Sequence, residues 1–213
     1  MKINIKILKK AWVSDKIKLE NLNEKELVKK MILRRRLSRS SKILIKLASE
    51  CEFKTGNMIY GSAYGEVFDT VNILNSIQNK EPVSPSAFQN SVYNTAASYH
   101  SILYGNKSEI ITLSCGDETS YCAMQQAALT LFQEDKVFVS CVEAIGFNGV
   151  DELNKCDYDL ECGVGFLIEK TDKEANIVIN IKKQKGVPNS MLWMKNLYDL
   201  CGNKNECIVS IKL

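Results

Sequence analysis

Cys115 is the residue of this chain best placed for nucleophilic chemistry. It follows an apolar run at residues 109–114, and Gly116 allows a sharp turn before a helical pattern begins near Glu118. A helix start offers free backbone N–H groups and the positive end of the helix dipole, and both favour a thiolate or an oxyanion. The pattern therefore marks this turn as a place to mount a nucleophile.

The groups that would assist such a nucleophile are scarce. His100 is the single histidine of the chain, and it lies in a predicted helix rich in small residues, which favours packing over catalysis. Two interpretations of the turn stay open. In the first, Cys115 is a core cysteine and Asp117 is the N-cap of the helix, with Glu118 in the first turn. In the second, Cys115 serves an acyl-transfer or thioesterase reaction.

The other cysteines do not favour a metal site. Two pairs repeat a Cys-x5-Cys spacing, whereas zinc sites favour Cys-x2–4-Cys; the pairs are Cys156 with Cys162 and Cys201 with Cys207. Three more cysteines stand in apolar surroundings and are expected in the core: Cys51, Cys122 and Cys141. Acidic residues between 143 and 161 lack the regular spacing of a calcium loop. We expect no metal and no cofactor.

Composition indicates an ordinary globular chain. It has 213 residues, of which 45% are hydrophobic and 25% charged, with a net charge of +3. No apolar run approaches the roughly 18 residues of a membrane span. The first residues alternate Lys with Ile and lack the apolar stretch of a signal peptide. We therefore expect a cytoplasmic protein with reduced thiols.

A strongly basic segment lies at residues 29–46, with eight basic residues and no acidic one. It is either a solvated helix face or a patch for an acidic partner. It has no aromatic residue to stack on bases, so nucleic acid is not favoured. The central cations of the segment are Arg34, Arg35, Arg36 and Arg39.

Hydrophobic periodicity predicts strands alternating with helices. Strands are predicted at residues 1–13, 58–61, 109–114, 136–141, 163–169, 175–182 and 207–213. The first predicted helix covers residues 24–47, with Asn23 as its N-cap and a break near 38–41. Further helices are predicted at 66–78, 88–103, 118–133 and 189–200. This alternation predicts a single α/β domain over residues 1–213, with helices on both faces of a sheet.

The chain resembles the β-ketoacyl synthase family over about residues 36–143. The similarity is carried by NMIYGSAYG at 57–65, SPSAF at 84–88, SVYN at 91–94, NTAASYHSILYG at 94–105 and the strand, turn and helix from 110 to 131. It is most similar to the short homologues of type II polyketide and aryl polyene pathways that hold only the amino-terminal half. The resemblance implies half of a thiolase-like fold with a mixed sheet.

The resemblance also implies a subunit without ketosynthase activity. Aligned backwards from Ala127-Ala128, the family's cysteine falls on Asp117, two residues after Cys115. The two histidines that support decarboxylation come from the carboxy-terminal half in this family. The implied role is that of a chain length factor, which pairs with a full-length β-ketoacyl synthase and shapes its acyl pocket. An acidic acyl carrier protein is the implied partner of the basic segment.

The family dimerises through the strand that precedes the nucleophile turn. That strand holds the expected interface: Ile110, Ile111, Thr112, Leu113 and Ser114. Bulky residues of the preceding segment are expected to close a partner's pocket: Phe88, Val92 and Tyr93. The alternatives are that the strand is central in its sheet, that Phe88 is ordinary core, and that the chain is a self-associating scaffold.

Overall fold

A computed structural model describes residues 1–14, 24–146, 161–202, 204 and 206–213. In this part of the chain, one sheet has the strand order β3-β2-β4-β5-β1-β6. The strands are β1 (Lys2–Ser14), β2 (Asn57–Gly61), β3 (Ile110–Leu113), β4 (Lys136–Ala144), β5 (Glu161–Lys170) and β6 (Cys207–Lys212).

The helices of the described residues cover both faces of this sheet. They are α1 (Glu24–Leu27), α2 (Met31–Arg36), α3 (Arg39–Glu50), α4 (Val67–Gln78), α5 (Pro85–Asn90), α6 (Thr95–Tyr104), α7 (Thr119–Thr130) and α8 (Leu192–Cys201). Short 3-10 turns, Gly116–Glu118 and Asn189–Met191, lead into α7 and α8.

The sheet is mixed. The pairs β2–β3 and β2–β4 are parallel, whereas β4–β5, β5–β1 and β1–β6 are antiparallel. Because β2, β3 and β4 run in the same direction, their carboxyl ends lie at the same end of the sheet. The loops that follow them therefore lie together, which is where open α/β sheets usually place their sites.

Each sheet face has its own hydrophobic cluster. On one face, α7 and α8 pack through residues such as Ala123, Ala127 and Leu197. On the other face, α3 and α6 pack through Leu47 and Ala97. Glycine in β5 lets α3 approach closely, since a Cβ atom at position 163 would lie 2.6 Å from the Cγ2 atom of Ile43. This close contact fixes α3 on the sheet.

Most predicted elements are present with shifted ends, but the helix predicted at 88–103 is divided into α5 and α6, and one predicted strand is wrong. Residues 175–182 do not form a strand, since only Ile177 makes a bridge, to Val209 of β6. A strand at these residues could not pair with β5, the preceding strand, because β5 already pairs with β4 on one side and β1 on the other. The predicted break in the first long helix is confirmed, because Ser38 caps α3 by accepting a hydrogen bond from the Ser41 N–H. Asn23, Cys156 and residues 147–160 lie outside the described residues.

Candidate functional site

The turn after β3 is closed by Thr119, the first residue of α7. The Cys115 N–H donates to Thr119 Oγ1 at 3.0 Å, and this hydroxyl donates to the Gly116 carbonyl at 2.6 Å. Gly116 has a φ of 55°, which a side chain rarely tolerates. The N-cap of α7 is Glu118, without a side-chain capping bond. The predicted capping role of Asp117 is therefore wrong, because Thr119 closes the turn.

Cys115 is exposed at this turn, so its prediction as a core cysteine is wrong. Its thiol lies beside that of Cys122 in the second turn of α7. Burial, together with a hydrogen bond and charge from Cys115, raises the pKa of Cys122 to about 11. Cys122 is only partly buried, whereas Cys51 and Cys141 lie in the core as predicted. The pair contains no basic side chain that would remove a proton from either thiol.

His100 belongs to a different part of the molecule. It is fully buried, and its ring stacks on Phe53 with 5.5 Å between centroids and lies 4.8 Å from the Tyr104 ring. Burial lowers its pKa to about 4, so the ring is neutral at physiological pH. The predicted packing role of His100 is confirmed.

Asp117 faces the turn that precedes α8. The side-chain amide of Asn189 donates to its carboxylate, with 3.2 Å between Nδ2 and Oδ2. The carboxylate is otherwise exposed. The position where the sequence resemblance predicts a nucleophile thus carries a carboxyl group held by an amide.

Glu143, at the end of β4, organises the loop that follows β2. Its fully buried carboxylate accepts hydrogen bonds from the Ser62 hydroxyl at 3.0 Å, the Ala63 N–H at 2.8 Å, the Tyr64 N–H at 3.3 Å and the Ser190 hydroxyl at 2.7 Å. Burial raises its pKa, and these donors oppose the shift. Sequence reasoning missed this role. A single acidic residue in the apolar run KVFVSCVEA was the available signal.

The Ala63 carbonyl joins two of the predicted site residues. The Tyr93 hydroxyl donates to it at 3.1 Å, and the Ser114 hydroxyl donates to it at 3.4 Å. The structure therefore brings one predicted pocket residue and one predicted interface residue onto the same loop. Because Glu143 holds that loop, these positions are fixed relative to the sheet.

The predicted pocket residues are apolar and exposed. Phe88 is 69% exposed, Val92 is 51% exposed and Tyr93 is 46% exposed. The alternative that Phe88 is ordinary core is therefore wrong. Exposed apolar side chains in one segment are typical of a surface that meets another molecule.

The predicted interface strand stands at an edge of the sheet. In the described part of the chain β3 pairs with β2 alone, so the alternative of a central strand is wrong. A shallow cleft of about 470 Å³ runs along it, lined by residues of β3 and α6 that include Thr112, Ser98 and Ile102. The opposite edge, at β6, is partly covered because the N–H groups of Asn176 and Ile177 donate to the Ile208 carbonyl.

The four arginines of the basic segment at residues 29–46 differ in their contacts. Arg35 and Arg36 are exposed. The Arg34 guanidinium donates to the Val28 carbonyl at 2.8 Å. Arg39 forms an ion pair with the buried carboxylate of Glu161 and lies 4.7 Å over the Phe68 ring. Arg34 and Arg39 therefore have structural partners, and sequence reasoning did not anticipate this.

A second buried carboxylate lies beside the start of α3. Glu66 is 5% exposed and accepts hydrogen bonds from the hydroxyls of Ser38, at 2.9 Å, and Ser40, at 3.3 Å. Burial raises its pKa to about 7, so this group changes charge near neutral pH.

Neither a metal cluster nor a membrane span is found in the described part of the chain. No group of three or more His, Cys, Asp or Glu side chains there is arranged to hold a metal ion. No helix there is long and apolar enough to cross a bilayer.

Residues 10–190 match the family model for the β-ketoacyl synthase, N-terminal domain. The chain therefore belongs to the β-ketoacyl synthase family. No curated protein matches it.

Solved structures with a similar fold include ketosynthase complexes. A chain of the ketosynthase ApeO in complex with its chain length factor ApeC, from Xenorhabdus doucetiae, aligns with a TM-score of 0.61 and 20% identity, over 75% of this chain and 69% of that chain. The ishigamide ketosynthase/chain length factor gives a TM-score of 0.57 and 14% identity, over 81% of this chain and 62% of that one.

A third similar structure holds a carrier protein. It is AntDE:AntF, described as a type II acyl-carrier protein in complex with its ketosynthase bound to the hexaketide, with a TM-score of 0.57 and 11% identity, over 81% of this chain and 59% of that one. The predicted α/β fold with a mixed, thiolase-like sheet is confirmed. This chain spans about 60% of the length of several such relatives.

Proposed function

We propose that this chain is a non-catalytic, ketosynthase-like subunit that pairs with a full-length β-ketoacyl synthase. In this role it shapes the partner's acyl pocket in type II fatty acid or polyketide biosynthesis of the aryl polyene kind. The observation that carries the proposal is the hydrogen bond from Asn189 to the Asp117 carboxylate, at the position where the sequence resemblance predicts the family's nucleophile. The proposed location is the cytoplasm, which cell fractionation tests.

The open edge of β3 supports pairing through this strand. An apolar edge strand with unpaired backbone groups is suited to strand addition. Ile110 to Leu113 are partly buried already, and a partner strand would cover the rest of their apolar surface. The partner is a full-length ketosynthase, with a second copy of this chain as the alternative.

The exposed apolar residues beside this edge support a role in pocket shape. Tyr93 is anchored to the Ala63 carbonyl, and its ring lies 3.0 Å from the position that a Cβ atom would take at Gly65. A fixed aromatic wall can limit the length of an acyl chain, because apolar pockets discriminate by about 1–3 kcal/mol per methylene. Phe88 and Val92 would extend the same wall.

The exposed arginines support docking of an acidic carrier protein. Arg35 and Arg36, with Lys29 and Lys30, are exposed at α2 and the turn before it. Opposite charges across an interface raise association rates and make binding salt-dependent.

Co-expression with a full-length ketosynthase tests the proposal. We expect a stable complex that makes products of defined length. We expect the ketosynthase without this chain to make altered products or none. A ketosynthase that purifies alone with unchanged activity and product length would contradict the pairing role.

A thioesterase or acyltransferase that uses Cys115 is the second candidate. Its support is the exposure of Cys115 at the entry to α7. Intact mass measurement after incubation with an acyl thioester separates the two candidates, because only this one predicts an acylated Cys115.

A further inference from the structure

A separate concave site lies beside the turn, between the start of α7 and the segment that leads into α8. This cleft has a volume of about 430 Å³. Its lining includes Glu118, Ser120, Lys183 and Trp193, together with Asp117. The pairing proposed above uses the β3 edge and not this cleft.

The lining of the cleft includes a serine whose hydroxyl has no hydrogen-bond partner among the described residues. Ser120 is 1% exposed, and among the described residues its Oγ atom has no hydrogen-bond partner. Leaving a buried polar group unpaired costs about 1–3 kcal/mol. Such a group in a cleft wall points to a ligand that completes its hydrogen bonding.

Charges of both signs line the cleft. The Glu118 carboxylate stands at the start of α7, and the Lys183 ammonium belongs to the segment before the Asn189–Met191 turn. Neither side chain forms an ion pair with another described residue. One oxygen of Asp117 accepts from Asn189, so Glu118 is the carboxylate left to meet a cation. Such an arrangement suits a molecule that carries both charges.

The remaining wall is apolar. Trp193, Leu192 and Ile181 line it, and the Trp193 ring lies 5.5 Å from the Tyr121 ring at an angle of 49°. These side chains would cover an aliphatic group. Small-molecule sites typically have volumes of about 300–1,000 Å³, so this cleft suits a ligand of only a few carbon atoms.

We propose that this cleft binds a small zwitterion, of the class of α-amino acids with an aliphatic side chain. The ligand's ammonium group donates to Glu118 and to Ser120 Oγ, since an ammonium group has three donors and no acceptor. Its carboxylate pairs with Lys183, and its side chain lies on Trp193 and Leu192. The site is distinct from any acyl pocket at the β3 edge.

Isothermal titration of the full chain with L-leucine tests this assignment. We expect saturable binding of leucine. Two analogues should bind at least tenfold more weakly: 3-methylbutylamine, because it lacks the carboxylate, and 4-methylpentanoate, because it lacks the ammonium group. We expect the same loss of leucine affinity in Glu118→Gln and Lys183→Gln. Ser120→Ala should bind leucine more weakly without any fall in melting temperature, because its hydroxyl has no hydrogen-bond partner among the described residues and its removal relieves an unpaired buried group.

Matched controls are Glu134→Gln and Lys80→Gln, which remove exposed charges outside the cleft lining. Both should bind leucine as the unmodified chain does. The assignment is overturned if leucine shows no saturable binding at tens of millimolar. It is equally overturned if the two analogues bind as tightly as leucine, or if the cleft variants match the controls. Ketosynthase pairing is measured separately, so its failure would leave this result unaffected.

Discussion

Asp117 accepts a hydrogen bond from the side-chain amide of Asn189, with 3.2 Å between Oδ2 and Nδ2. The bond joins the turn after β3 to the turn before α8. It holds a carboxyl group at the position where the sequence resemblance predicts the family's nucleophile. The thiol two residues earlier is exposed, but the single histidine is enclosed between aromatic rings.

We therefore predict that the purified chain does not condense malonyl and acyl thioesters. The expected product signal equals that of a reaction without protein, because the described contacts of Cys115 include no base and Asp117 stands where the resemblance predicts the nucleophile. Product analysis by mass spectrometry is the measurement. Condensation that disappears in Cys115→Ala would show that the thiol is catalytic after all.

The edge of β3 gives a prediction about assembly. Ile111→Lys should place a charge in the apolar strand and abolish pairing of this chain with its partner subunit. Ile77→Lys, at a 60% exposed position of α4, should leave that pairing unchanged. Light scattering gives the mass, and circular dichroism checks the fold. Should Ile111→Lys unfold, Ile102→Lys replaces it, because Ile102 is 65% exposed beside the same strand. An unchanged mass in a folded variant would exclude this edge as the interface.

The basic segment gives a prediction about the carrier protein. Replacing Arg35 and Arg36 with Glu should weaken binding of an acidic carrier protein about tenfold or more at low salt and flatten its salt dependence. Arg39→Glu is not a suitable test, because Arg39 pairs with the buried Glu161 and its loss would destabilise the fold. An unchanged dissociation constant at low salt would mean that these residues are only solvated.

Glu66 gives a prediction about pH. Its pKa is raised from 4.5 to about 7 in the folded chain, so between these values the folded state holds a proton that the unfolded state loses. Its contribution to stability is complete below pH 4.5 and is lost as the pH rises through 7. The Glu66→Gln variant has no ionising group at this position, so it should not lose stability in this way. In the unmodified chain the free energy of unfolding contributed by Glu66 falls by at most about 1.4 kcal/mol per pH unit.

The measurement is the free energy of unfolding from pH 4.5 to 8, taken as the variant minus the unmodified chain. The difference is needed because His100 acts in the opposite direction. Its pKa is lowered from 6.5 to about 4, so the unfolded state binds the extra proton and stability falls on acidification. Glu134→Gln, at an exposed position, is the control. A pH-independent difference for Glu66→Gln would contradict the buried, ionising carboxylate.

Local patterns in the sequence predicted much of the fold. The apolar runs around Met58, Ile111 and Val139 became β2, β3 and β4, because alternation and β-branched residues favour strands wherever a neighbour is free. The run at residues 177–181 has the same composition and is not a strand. Among the described residues it meets the sheet at the edge of β6, where it forms a bridge at Ile177.

The candidate site was only partly predictable. The order of strand, turn and helix placed Cys115 and Asp117 correctly at the turn. Contacts between distant residues were not accessible, since no local pattern links Glu143 with Ser190 or Arg39 with Glu161. Buried charges of this kind depend on the completed packing of the sheet and its loops.

Native mass spectrometry of the chain co-expressed with a full-length ketosynthase tests the central claim most directly. The account predicts a complex with one copy of each subunit, which is lost in Ile111→Lys and kept in Ile77→Lys. It also predicts that Phe88→Ala in the intact complex lengthens the product. A ketosynthase that appears only as its own homodimer, with this chain absent from every complex, would contradict the account.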